Sequence, residues 1–119
     1  MSTIRTSMTF EEFADANRTR AQRWHPNGVD DWSLSDWGVA MAGEAGEACN
    51  VIKKLRREEE GIHGNDISNE DLRSDLALEL ADTMTCAFLL AERAGINLEH
   101  ACRVKFNLVS EKNGFPDKL

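Results

Sequence analysis

The chain has 119 residues, 41% of them hydrophobic, with 14 Lys plus Arg against 21 Asp plus Glu and a formal net charge of −7 at pH 7. That length predicts one domain over residues 1–119, structured from about residue 10 to 116, with a core that is marginal for a lone monomer. The acidic balance excludes a general nucleic-acid or anionic-membrane binder, so a phosphate-bearing ligand would need cations to mediate its contact.

No stretch alternates apolar and polar residues with β-branched enrichment, and apolar positions recur at helical spacing, which predicts an all-α, four-helix bundle-like subunit. Helix one is expected from Thr9 to Trp24, opened by a capping box of Thr9 and Glu12 and stopped at His25-Pro26. Its inner arc is Phe10, Phe13, Ala14, Ala21 and Trp24. After the turn-rich Pro26-Asn27-Gly28, Ser33 or Ser35 caps helix two, which continues to about Arg57, with Trp32 and Trp37 as a hydrophobic staple. A polar loop from Glu58 to Asn69 leads to helix three, capped by Ser68 or Asn69 and running to Ala94 with Gly95 as a left-handed stop. Asn97 caps helix four, closed by Gly114 ahead of Pro116.

Helix three is apolar nearly all round between Leu76 and Ala91, because Met84, Phe88 and Leu89 fall outside the arc of Leu76, Leu80, Thr83 and Leu90. Three neighbouring helices in so short a chain cannot cover such a surface, so a homodimer or homotetramer through helix three is expected. Cys49, Cys86 and Cys102 are odd in number, lack CxxC spacing and fall in helices, which points to reduced core cysteines in a cytoplasmic protein. No segment approaches 18 uninterrupted apolar residues and the N-terminus has no run of signal-peptide type, so no membrane partner is expected.

Two helices carry carboxylates inside arcs that should be apolar. Glu44 and Glu47 sit among Trp37, Ala40, Met41, Ala48, Val51 and Leu55, and Glu79 and Asp82 among Leu72, Leu76, Thr83, Cys86 and Leu90. Each pair has i, i+3 spacing and so lies about 60° apart on one side of its helix. Residues at i+4 offer no cation, since Val51 follows Glu47 and Thr83 follows Glu79. Four inward acids cost several kcal/mol each unless protons, buried cations or metal ions relieve them. Oxygen ligands suit Mg²⁺, with Mn²⁺ as a substitute, and two or more ions are expected. A di-iron bundle site would need Glu-x-x-His; His63 follows Glu60 at that spacing, but Gly61 and Gly64 put it in a loop.

The segment Gly43-Glu44-Ala45-Gly46-Glu47, followed by Glu79-Leu80-Ala81-Asp82, resembles the metal-binding signature of the MazG-like all-α nucleoside triphosphate pyrophosphohydrolases, a family that includes dCTP pyrophosphatases and dimeric dUTPases. The resemblance implies that Glu44, Glu47, Glu79 and Asp82 bind Mg²⁺. It also implies that a (deoxy)nucleoside triphosphate is cleaved to nucleoside monophosphate and pyrophosphate. Gly43 stands where the fuller pattern has a first glutamate, and the spacer of 31 residues between Glu47 and Glu79 is long for that pattern. Glu44 or Glu47 is the expected catalytic base.

Substrate contacts are expected from basic and aromatic residues. The apolar arc of helix four, Leu98, Ala101, Cys102, Leu108 and Val109, encloses Lys105, a bearing that suits a snorkelling lysine or a phosphate contact opposite the acids. Lys112 lies near the same face, and Lys54 stands seven residues beyond Glu47 on a similar bearing. Lys53, Arg56 and Arg57 read as solvated. The resemblance adds a lysine at the offset of Lys54 and a Lys and Asn near the chain end, which implies Asn107 beside Lys105. Trp24-His25 offers rings to stack on a nucleobase and Asn17 an amide to bond it, against a core Trp24 and a satisfied interhelical Asn17. The alternative to the enzyme is a non-catalytic helical interaction module whose inward acids pair with a basic partner.

Overall fold

The computed structural model describes residues 7–119, in which α1 (Phe10–Trp24), α2 (Leu34–Glu59), α3 (Asn69–Ala94) and α4 (Leu98–Asn113) follow in the expected order. A single 3₁₀ turn, Gly28–Asp31, stands between α1 and α2, and no strand occurs among the described residues. The expectation of one domain from residue 1 includes residues 1–6, which lie outside the described residues.

Helix ends follow local side-chain chemistry. Thr9 Oγ1 accepts the Glu12 N–H at 3.0 Å while the Glu12 carboxylate accepts the Thr9 N–H at 3.2 Å, and Ser33 with Asp36 repeats that box at the start of α2. Each pair satisfies backbone donors that a helix start leaves open, an effect of about 1 kcal/mol. Ser68 caps α3 through the Asp71 N–H and Asn97 caps α4 through the His100 N–H. Gly95 and Gly114 stop α3 and α4 at φ 71° and 69°, a region that side chains with a Cβ avoid. α2 runs two residues past the expected Arg57, because the Glu60 and Ile62 N–H groups still bond back to the Arg56 and Arg57 carbonyls.

Packing concentrates where α1, the 3₁₀ turn, α2 and α3 meet. Ala21, Trp37 and Leu89 are buried together, with Val29 and Leu90 against them. Trp37 donates its indole N–H to the Val29 carbonyl at 2.9 Å, which ties the turn to α2, and Trp32 stacks beside it with ring centroids 4.5 Å apart, forming the staple. Phe10 and Phe13 each meet Phe88 edge-on, at 5.6 and 5.3 Å. Ala48, Val51 and the fully buried Leu72 extend this core along α2 and α3, the most extensively packed helix pair.

Several expected core residues are not in it. Trp24, the last residue of α1, is 65% exposed and carries the Arg20 guanidinium over its ring at 5.2 Å. Phe10 is exposed, and so are Cys49 and Cys102, while Cys86 is half-buried; all three thiols are free. α4 makes no extended packing against the other helices, so the bundle is not closed within one protomer. The radius of gyration, 17.8 Å, exceeds the value of about 13.5 Å expected for a compact domain of this length. α3 buries Phe88, Leu89 and Ala91 but exposes Leu78, Leu80 and Met84, and α4 exposes Val104, Phe106, Leu108 and Val109. Among the described residues no helix is long and apolar enough to cross a membrane.

Candidate metal centre

The α2–α3 seam brings together three of the four acids singled out in the sequence. Carboxylate oxygens of Glu44, Glu79 and Asp82 lie within 4.8 Å of one another. The i, i+3 register places Glu79 and Asp82 on one side of α3, and Glu44 meets them from the middle of α2. Glu47, one turn along α2, is outside the group of three but acts electrostatically on Glu79.

The acids are less enclosed than the apolar arcs imply. Glu44 and Glu79 are half-buried, whereas Glu47 and Asp82 are exposed, because no third helix is laid across this part of the seam. The cluster is therefore an open site and not a dry interior. Its charges still oppose one another: desolvation first, then Glu44, Asp82 and Glu47, push the Glu79 carboxyl above the ordinary glutamate range. Desolvation, with Glu44 and Asp82, likewise pushes up the Cys86 thiol, one turn beyond Asp82.

Among the described residues no Lys, Arg or His forms an ion pair with Glu44, Glu47, Glu79 or Asp82. Convergent oxygen donors without a cationic partner fit a hard divalent ion such as Mg²⁺ or Mn²⁺, with Glu44, Glu79 and Asp82 as its holders. Such an ion, if bound, would supply neutralisation of nearby anionic oxygens and a lowered pKa for a water beside it.

Beside the cluster lies an open pocket of 430 Å³ lined by Glu47, Asn50, Val51, Lys53, Lys54, Asp75 and Glu79. Lys54 lines the same pocket as Glu47 and Glu79. Lys53, read as solvated, is exposed and also lines that pocket. Asp75 was not singled out, although it precedes Glu79 by four residues and so shares its bearing on α3.

The remaining expected contacts are elsewhere. Lys105 is exposed on α4 and lines an apolar pocket with Ala101, Phe106, Val109 and Phe115, away from the acids, since α4 does not pack along the seam. Asn107 is occupied by the chain terminus: its Oδ1 accepts the Leu119 N–H at 2.9 Å and its Nδ2 donates to the Leu119 carbonyl at 3.1 Å. Lys112 is exposed in the last turn of α4. Asn17 is buried, donating to the Phe13 carbonyl at 2.9 Å and accepting from Arg20 at 3.2 Å, a satisfied polar group within α1. His25 packs edge-on against Trp32 and Trp37, and Trp37, in the first turn of α2, stands about 10 Å along the helix axis from Glu44. Comparison of the chain with protein-family models, with curated proteins and with solved structures finds no match.

Proposed function

We propose that this chain is a divalent-metal-dependent pyrophosphohydrolase that cleaves the α–β phosphoanhydride of a (deoxy)nucleoside triphosphate, giving the nucleoside monophosphate and pyrophosphate. The observation that carries the reading is the convergence of Glu44, Glu79 and Asp82 within 4.8 Å, unrelieved by any basic side chain among the described residues. Glu44, Glu79 and Asp82 hold Mg²⁺ or Mn²⁺, which supplies charge neutralisation at the phosphate oxygens. Glu47, outside that group of three, is the freer carboxylate to take the proton of the attacking water. Lys53 and Lys54, in the pocket shared with Glu47 and Glu79, receive phosphate oxygens of the substrate.

A second copy of the chain completes the protomer in this proposal. Among the described residues eight hydrophobic side chains are buried and nineteen large ones are exposed, those of α3 and α4 prominent among them, which supports a homodimer or homotetramer. Three free thiols fit a reducing, cytoplasmic setting. Incubation with a panel of nucleoside triphosphates, with and without Mg²⁺, scored for monophosphate and pyrophosphate, tests the activity and names the base. Absence of turnover on every member would favour the non-catalytic interaction module.

A further inference from the structure

Helix α4 makes no extended packing within its own protomer. Val104, Phe106, Leu108 and Val109 are each more than 40% exposed, and Ser110 is the one fully buried residue of the helix. A helix of 16 residues is marginal in water by itself and takes its stability from packing of its apolar face. For α4 that packing has to come from outside the protomer.

The folded-back chain end does not supply it. Asn107 holds the Leu119 N–H and carbonyl at 2.9 and 3.1 Å, Lys118 Nζ donates to Glu111 Oε1 at 2.8 Å, and the Phe115 N–H donates to the Ser110 carbonyl at 2.9 Å. At about 100° per residue, Asn107, Ser110 and Glu111 lie on the opposite side of α4 from Leu98, Cys102, Lys105 and Val109. The tail 115–119 is therefore fastened behind that stripe, which borders an open groove of 700 Å³ with Phe115 and Asp117 at its edge. Phe115 remains 58% exposed, so the hydrogen-bonded tail presents its ring and does not bury it.

The chain exposes 8912 Å², whereas a compact protein of 13.3 kDa exposes about 6,450 Å², a surplus on the order of 2,000 Å². A stable dimer removes about 800 Å² from each partner, so this surplus is enough for one. Lys105 and Asp117, both exposed, border the same groove, and neither forms an ion pair among the described residues. Opposite charges on one patch make it self-complementary, because a two-fold axis brings each to face the other's counterpart.

We propose that the α4 groove is the contact between two copies of this chain, each copy's Lys105 pairing with Asp117 of the other. Asn107 is a positioning residue that fixes the tail bearing Phe115 and Asp117. A closed dimer has a single interface, which then also takes in the exposed Leu80 of α3. The inference rests on the assembly proposed above, to which it adds the surface and the pairing, and not on the activity.

Sedimentation equilibrium of the full chain at low ionic strength tests it. Lys105→Asp and Asp117→Lys each set like charges against each other at two places and should each weaken self-association about tenfold. The double variant Lys105→Asp/Asp117→Lys restores opposite charges and should associate within about twofold of the parent, a rescue that a merely structural effect would not give. Asn107→Leu should weaken association about tenfold with helix content unchanged by circular dichroism. Single reversals that associate as the parent does, or a double variant no better than either single one, would overturn this surface and leave an assembly on α3 standing. Asn107→Leu associating as the parent does would overturn the role of the tail. A parent chain monomeric at tens of micromolar would overturn the assembly and this surface together, whatever the nucleotide panel shows.

Discussion

Glu44 on α2 and Glu79 on α3 bring carboxylate oxygens within 4.8 Å of each other across the helix seam, with Asp82 completing the group. The folded chain thus holds like charges together that the unfolded chain keeps apart. Glu79→Gln should raise the melting temperature of the metal-free protein at neutral pH, because one repelling charge is removed. The same substitution should abolish both the stabilisation by Mg²⁺ and the turnover. Thermal denaturation with and without Mg²⁺ measures the two effects together.

The pH dependence follows from the direction of the shift. Glu79 sits above its ordinary value when folded, so the folded protein binds this proton more readily than the unfolded chain. Its contribution is fully present below the unfolded pKa and is lost as pH rises through the folded one. Asp36 acts in the opposite sense: the Ser33 backbone and hydroxyl hold it below the usual range, so its contribution is lost as pH falls through that depressed value. Denaturant midpoints of metal-free protein should fall between mildly acidic and neutral pH, and less steeply in Glu79→Gln.

Leu80 is exposed on α3 in the single chain, so replacing it with Glu removes little protomer packing. In an assembly built on that face the new charge would be buried and unpaired. Leu80→Glu should therefore sediment as a folded monomer at micromolar concentration where the parent chain sediments as a dimer or larger. A monomeric parent at that concentration would count against the assembly.

Gly43 occupies the interior of α2, and a Cβ built there meets no atom within 4 Å. Gly43→Ala should stabilise the metal-free protomer by about 0.5–1 kcal/mol, through helix propensity and a less flexible unfolded chain. Urea denaturation checks the sign. A loss of stability confined to the assembled form would place another copy against this face of α2.

The helix limits were legible because they rest on interactions within a few residues: Thr9 with Glu12, Ser33 with Asp36, Ser68 and Asn97 with the N–H three residues on, Gly95 and Gly114 at positive φ. The acid pairs were legible for the same reason, since i, i+3 spacing fixes a shared bearing on one helix. Asn65 carried no such signal. Its Lys54 partner is eleven residues away, and only the path of the loop brings them together.

The amino-acid order alone determined four helices, the stops of α1, α3 and α4, and the placing of Glu44, Glu47, Glu79 and Asp82 on two helix faces, because each depends on short-range stereochemistry and a 3.6-residue period. Tertiary structure decided which acids converge and how open they are. It also decided that Lys54 stands beside them while Lys105 does not, and that Asn107 is tied to the chain end. A helical period specifies which face a residue is on. What covers that face depends on packing between distant segments, and here α4 leaves it open.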